Sequence, residues 1–482
     1  MRPRYDVVVV GSGPNGLTAA IVLAQQGLAV CLIEAAQTAG GGTRSSELTV
    51  PGFIHDECSA VHPLGIGSPF FKTLALERYG LQWVQSPSPL VHVMTDGSAV
   101  LLERSLDETV RGLGVDGPAY HRLLRPFVDE FDPLIEMLLA PLKFPRRPFL
   151  MGRFGLKALR SMEGLARSTF KEARASAMLA GIAAHAMIPL DQWATASFGL
   201  VLAAAGHAVG WPIARGGSQA IANALLAHFE SLGGELVLGQ KVIRLDALPT
   251  ADVTMFDVGP RQLLSIAGDA LPASYHRKVN RFRYGPGAYK VDWALNAPIP
   301  WKDPACGRAV TVHLAGTMAD IVAAQKAVNQ GALPERPFVL LGQPSIVDDT
   351  RAPKGMHTVW AYCHVPNGSS VDATEAIEAQ IERYAPGFKD CVVARHTRSA
   401  LALEAHNPNN VGGDINGGLS DLPQLFFRPV LRADPYSTPN PGIFLCSSST
   451  PPGGGVHGMC GYWAARSALN RLGRALPAPA AR

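Results

Sequence analysis

Charge is scarce in this 482-residue chain: 17% of residues are Asp, Glu, Lys or Arg, against 47% hydrophobic ones. That balance excludes a disordered, solvent-expanded polypeptide, because apolar surface is abundant and little charge is present to keep the chain open. Net charge is also small. The 43 Lys and Arg residues exceed the 39 Asp and Glu residues by only +4, too thin an excess over this length to hold a phosphate backbone, so no nucleic-acid partner is expected. The seven cysteines include no C-x-x-C pair, which removes the zinc-ribbon and dithiol-redox readings, and no metal site is expected. Their odd number and irregular spacing fit reduced, mostly buried thiols in a cytoplasmic protein. A long uninterrupted apolar run is missing too. Residues 175–208 come nearest, but His185, Asp191, Gln192 and His207 interrupt them and Pro189 breaks them, so buried helices are expected there and not a membrane span. No secretory leader is recognisable before the first apolar run, and no internal repeat is visible. At roughly 100–200 residues per domain, the length implies two or three domains.

What is present begins at once. Residues 7–10 are four valines, the signature of a strand buried on both faces in a parallel sheet. Gly11-Ser12-Gly13-Pro14-Asn15-Gly16 follows as a tight turn, residues 17–26 as a helix closed by Gly27, and residues 29–33 as a second strand ending at Glu34. Strand, G-x-G-x-x-G, helix, strand and acid in that order describe a dinucleotide-binding βαβ unit. Gly11 permits the turn, Gly13 lets the backbone approach a pyrophosphate, and Gly16 lets helix and strand pack closely. Pro14 and Asn15 open the helix, whose free N–H groups and partial positive charge suit phosphates. Glu34 is placed to accept hydrogen bonds from both hydroxyls of an adenosine ribose, which disfavours a 2′-phosphate there.

The loop alone leaves FAD and NAD open. Two features favour FAD. No second G-x-G-x-x-G follows a strand, since Gly285-Pro286-Gly287 opens no helix, and a second glycine-rich run, Gly40-Gly41-Gly42-Thr43-Arg44, lies just after Glu34. Gly41 and Gly42 can pass under the pyrophosphate and Arg44 can add charge to it. Further strands are expected at residues 235–238, 241–245, 252–257, 288–295, 345–347, 358–364 and 442–446. Helices are expected over most of 107–205 and at 219–232, 370–385 and from about 458 onward. The tail 475–482 reads as frayed.

The pairing of residues 7–34 with Gly41-Gly42-Thr43-Arg44 resembles the amine oxidase and phytoene desaturase superfamily of flavoproteins. Trp211-Pro212-Ile213-Ala214-Arg215-Gly216-Gly217-Ser218, Lys290-Val291-Asp292-Trp293-Ala294-Leu295 and Thr450-Pro451-Pro452-Gly453-Gly454-Gly455-Val456-His457-Gly458-Met459 resemble its phytoene dehydrogenase-related branch. The resemblance implies bound FAD and an α/β fold: a Rossmann-like FAD-binding domain (residues 1–105, 206–284 and 426–482) interleaved with a mixed-sheet plus helical substrate domain (106–205 and 285–425). It implies that Val242 meets the adenine end through its backbone, that Gly455, Val456, His457, Gly458 and Met459 lie along the isoalloxazine ring, and that Ser448 stands where the superfamily carries an acid for the ribityl chain. It also implies a role for Lys290, holding a water at flavin N5.

For chemistry, Lys290 and His457 are the catalytic candidates. Lys290 sits inside an apolar strand, where burial is costly without a task or a partner; a solvent-facing strand lysine is the other reading. His457 lies between glycines near the expected flavin face, where a side chain of near-neutral reference pKa can act as a base; a packing histidine is the alternative. His62, His185 and His207 are weaker candidates of the same kind. Met459 replaces one of the aromatic residues that amine oxidases set beside the flavin, which argues for hydride removal from a C–H bond of an apolar small molecule rather than plain amine oxidation. A flavoprotein isomerase or saturase, or an interaction protein merely stabilised by flavin, remain alternatives. Residues 141–160 mix six cations with Phe144, Phe149, Leu150, Phe154 and Leu156. That mixture allows peripheral membrane contact, with a solvated helix face as the plainer reading.

Overall fold

The computed structural model describes residues 2–474; the tail 475–482 lies outside them. Two sheets organise the chain. The first has five strands, all parallel, in the order Ile443–Leu445, Thr250–Phe256, Arg4–Val10, Val30–Ile33, Glu235–Val237. Val7 to Val9 are fully buried at its centre, as a strand covered by helices on both faces requires. The helix Pro14–Ala24 carries the chain from the first strand to the second. It packs against the last helix, Met459–Arg471, and against Gln219–Ser231.

The second sheet has seven strands in the order Val392–Arg398, Gly287–Leu295, His357–Val365, Val339–Gly342, Thr311–Leu314, Leu90–Val93, Ala99–Leu102. It is antiparallel except where Thr311–Leu314 runs alongside Leu90–Val93. Helices between residues 106 and 208 pack on this sheet, their shared core including Leu124, Phe127, Met162, Leu179 and Leu200. The α/β class and the interleaving of a Rossmann-like sheet with a mixed sheet and helices are as the sequence implied.

Local expectations fail in three places. Residues 241–245 form no strand: Glu235–Val237 ends, Gly239 turns at φ +70°, and Gln240 donates its N–H to the Glu34 carbonyl. Residues 344–346 make a 3-10 turn instead of a strand; Pro344 opens it, with no N–H to give to a ladder. Five strands of the second sheet went unread, Leu90–Val93, Ala99–Leu102, Thr311–Leu314, Val339–Gly342 and Val392–Arg398. The first two lie before residue 105, yet they pair in the seven-stranded sheet.

Candidate functional site

The phosphate loop sits where the first strand meets its helix, and its glycines are demanded by contact. Gly11 has φ +99°, and a Cβ there would lie 2.8 Å from the Asp257 carbonyl oxygen. At Gly13 a Cβ would come within 2.7 Å of Asp257 Oδ2, and at Gly16 it would run into the Gly11 carbonyl. The second glycine run packs on the first: Gly41, at φ +53°, would bring a Cβ to 3.0 Å from the Gly13 Cα, and Gly40 donates its N–H to the Ser12 carbonyl at 3.0 Å. Glu34 closes the loop by accepting from Ser12 N and Ser12 Oγ at 2.9 and 2.6 Å and from Ala36 N at 2.9 Å. Arg44 turns its Nε to the Gly41 carbonyl at 3.1 Å.

These elements border one large cavity of about 2850 Å³. It is several times the size of an ordinary small-ligand pocket, with room for a dinucleotide and a substrate together. Its wall includes Gly11, Gly13, Pro14, Asn15, Glu34, Gly41, Gly42, Arg44, Val242, Ser448, Gly455, Val456 and Met459. Segments far apart in sequence therefore meet on one surface. Val242 reaches it from irregular backbone, not from a ladder. At the ring end, Gly453 and Gly455 have φ +108° and +123°, which only glycine adopts without strain. The helix Met459–Arg471 starts there at Gly458, φ +70°.

Five of the expected site residues do not reach the wall. Thr43 is buried with its hydroxyl donated to the Gly40 carbonyl at 2.8 Å, so it shapes the glycine run from behind. Gly16 spends its N–H on Asp257 Oδ2 at 2.9 Å. Gly458 packs against Thr18 and Phe71. His457 is fully buried one layer back, its ring against Gly455. Its Nδ1 accepts the Met459 N–H at 3.0 Å, and burial pushes its pKa down to about 4. The neutral imidazole caps the first turn of the last helix. It also takes one of the N–H groups expected to face the flavin.

Lys290 does not reach the wall either. Its ammonium is buried and paired with the Asp292 carboxylate, two residues along on the same face of the strand. Burial, the largest influence, pushes the Asp292 carboxyl up, but Lys290, His396 and His55 together hold it below its ordinary range. The pair belongs to a buried ionic cluster behind the cavity wall. Asp292 lies 3.6 Å from His55 Nδ1, and nearby Arg351 engages Asp56 and lies 3.2 Å from Asp348 Oδ2. Cys58, which does line the cavity, feels the Lys290 charge.

Among the weaker histidines, His207 bonds to Tyr120 Oη at 2.9 Å and His62 to Ser218 Oγ at 2.8 Å. His185 stands on the cavity wall, with its Nε2 3.1 Å from His313 Nε2. Burial pushes its pKa down to about 4, so it too is neutral.

Two groups that matter escaped the sequence reading. Trp360 and Tyr362 lie stacked on the wall, ring planes 8° apart, two residues apart on one face of the strand His357–Val365. The other is Asp257, at the carboxyl end of the strand Thr250–Phe256. Its signal was position: acids at the carboxyl ends of parallel strands face the ligand crevice. Burial pushes its carboxyl up to about 7; the Gly16 N–H works against that shift and the neighbouring Glu34 charge adds to it. A carboxyl raised in the fold contributes stability that is fully present below its unfolded value near 4 and is lost as pH rises through 7. The same sign governs an anionic ligand in the loop. FAD affinity of the apoprotein should fall roughly tenfold between about pH 6 and about pH 8, as Asp257 ionises against the pyrophosphate. Fluorescence titration with FAD across that range checks it; the slope should vanish in Asp257→Asn, and an unchanged slope would remove Asp257 from the site.

A parallel sheet with an anion-binding glycine loop, an acid closing that loop, and a distant glycine-lined helix start on the same cavity define a flavin-dependent oxidoreductase. The chain belongs to the FAD dependent oxidoreductase family, whose model matches residues 6–255. It is 26% identical over 555 aligned positions to the rat protein called pyridine nucleotide-disulfide oxidoreductase domain-containing protein 2, covering 98% of this chain and 94% of that one. Its fold is similar to that of an oxidoreductase from Methanosarcina mazei (TM-score 0.64, 15% identity, 96% and 99% of the two chains). It is also similar to cyclohexylamine oxidase from Brevibacterium oxydans (TM-score 0.60, 14% identity, 98% and 100%). The cofactor is FAD, and the cradle fits it: the packed glycines leave backbone bare where a pyrophosphate must come close, and the far end of the same cavity is bare again at 453–455.

Proposed function

We propose that the protein removes hydride from a C–H bond of a lipophilic organic molecule, in the manner of phytoene dehydrogenase-like flavoenzymes. The observation that carries this is the part of the cavity beyond the glycine-lined end. Phe198, Val201, Leu202, Trp211, Leu340, Trp360, Tyr362 and Ile415 wall it, and the imidazole among them, His185, is neutral. Such a wall orients a substrate by shape and excludes water, and gives a cationic or strongly polar substrate no charged partner. Bound FAD supplies the two-electron acceptor. His185 and Asn416 bring polar groups to this wall, with Asn416 Nδ2 donating to the His185 carbonyl at 3.3 Å. The open volume also favours turnover over a purely flavin-stabilised interaction role, which expects the space above the ring to be filled.

Anaerobic titration of the purified protein with isoprenoid and other apolar donors tests the reading. Loss of the visible flavin band is expected with an apolar donor and not with small alkylamines. Bleaching by amines alone would overturn it. Reaction only after prior reduction of the flavin would select the saturase or isomerase alternative instead.

A further inference from the structure

Residues 137–162 contain six Lys or Arg and no Asp or Glu, and they carry some of the most exposed apolar side chains of the fold. Leu142 is 72% exposed, Phe144 87%, Phe149 93% and Leu156 78%. The helix Pro148–Ala158 explains the arrangement. Leu150, Phe154 and Ala158, spaced four residues apart, are its buried face. Phe149, Arg153, Leu156 and Lys157 then fall together on the outward face. An outward helix face of aromatic, leucine and cations is the reverse of an ordinary solvated one, and it is the composition of helices that lie in the headgroup layer of a bilayer. Trp193, 68% exposed, joins the patch, because the N–H of Ala194 next to it donates to the Leu159 carbonyl at 2.9 Å; indoles favour that same layer.

The cations are available. Arg147 pairs with Glu130 at 2.6 Å, and Lys143 stands 4.1 Å over the Trp463 ring. Arg146, Arg153 and Lys157 enter no ion pair among the described residues. A second copy of this chain is disfavoured on the patch, since a two-fold contact would set these like charges face to face. The same segment is also the rim of the cavity: Leu142, Arg146, Met151, Gly155 and Leu159 line it, and its wall continues past Phe198 and Val201 to Trp211.

We propose that residues 142–159, with Trp193, dock the protein on an anionic lipid bilayer, and that the cavity mouth they frame takes its apolar substrate directly from the membrane. The substrate clause rests on the function proposed above; the docking clause does not.

Flotation of the full-length FAD-loaded protein with vesicles tests it, with no substrate present. With mixed phosphatidylcholine–phosphatidylglycerol vesicles at low salt the protein should float. It should stay in the soluble fraction with phosphatidylcholine alone, and binding should weaken as salt is raised. Arg153→Glu with Lys157→Glu should lower partitioning roughly hundredfold. Phe149→Ser with Leu156→Ser should abolish stable binding. Both pairs are exposed, so flavin content and unfolding midpoint should match wild type. The proposal is overturned if wild type fails to float with anionic vesicles, if both variants float as wild type does, or if the variants change the oligomeric state and not vesicle binding. Failure of the substrate titration with flotation intact would remove the redox reading alone.

Discussion

Arg351→Met is expected to lower stability by about 3–5 kcal/mol, the cost of leaving buried carboxylates without their cation. The guanidinium is fully buried. It engages Asp56, its Nη1 donates to the Ile54 carbonyl at 3.1 Å, and its Nε lies 3.2 Å from Asp348 Oδ2, close enough for charge attraction though out of line for a hydrogen bond. Each carboxylate in turn holds backbone: Asp56 accepts from Ser218 N at 2.7 Å and Asp348 from Gly216 N at 2.8 Å. One side chain thus ties the segment after the second glycine run, the turn before the helix Gln219–Ser231, and the loop at 348–351. Burial, the largest influence, pushes the Asp56 carboxyl up, but Arg351 together with the bonds from Ser218 N and Ser45 Oγ keeps the group below the usual carboxylate range. In wild type this pair therefore contributes stability above the ordinary carboxylate pKa and loses it as pH falls through the depressed value. In the variant the Arg351 charge is gone while burial stays, so the Asp56 pKa rises relative to wild type, opposed only by the bonds from Ser218 N and Ser45 Oγ. The penalty should shrink as pH falls toward the carboxylate range, and Asp56→Asn added to Arg351→Met should recover part of the loss. Denaturant midpoints at neutral and mildly acid pH measure both. A variant within about 1 kcal/mol of wild type at neutral pH would show that the cluster is not held by this cation.

The second large effect is expected at Gly461. In the last helix, Gly461 faces the backbone of Asn15 in the first helix so closely that a Cβ would run into the Asn15 carbonyl oxygen. Helix propensity alone makes Gly→Ala favourable by up to about 1 kcal/mol. The contact predicts the opposite sign: overpacking costs of about 1–3 kcal/mol for Gly461→Ala, and more for valine. The contact touches the residue before Gly16, so forcing the helices apart should displace the phosphate loop and the start of the last helix together. Gly461→Val should emerge without flavin even when folded. Gly152→Ala, in the helix Pro148–Ala158 where nothing lies within 4 Å of the added carbon, is the control and should be neutral or stabilising. Flavin content by absorbance and unfolding midpoints report both; a stabilised, yellow Gly461→Ala protein would sink the close-contact argument.

Several site features were legible because their signals are local. Val7–Val10, the three glycines, the helix and Glu34 lie within one short stretch of chain, and backbone sterics and alternation of burial dictate their arrangement. Lys290 was legible as anomalous but not as paired. Its partner Asp292 was two residues away, on the same face of the strand, and that spacing alone pointed to an ion pair. His457 shows the limit of reading a residue by its neighbours. Flanking glycines put its backbone near the cavity but left the ring free to turn inward, and the Met459 N–H it caps turned it.

The amino-acid order by itself determined the cofactor class and the nucleotide-binding half, since short-range geometry permits few outcomes for that pattern. Only the tertiary structure decided which side chains stand at the cavity wall, that Asp257 faces the phosphate loop, and that Trp360, Tyr362 and the basic, apolar helix Pro148–Ala158 all line one cavity. Those depend on pairings across hundreds of residues, such as Gly16 with Asp257 and Asp56 with Arg351, where packing in three dimensions selects among partners that no local periodicity distinguishes.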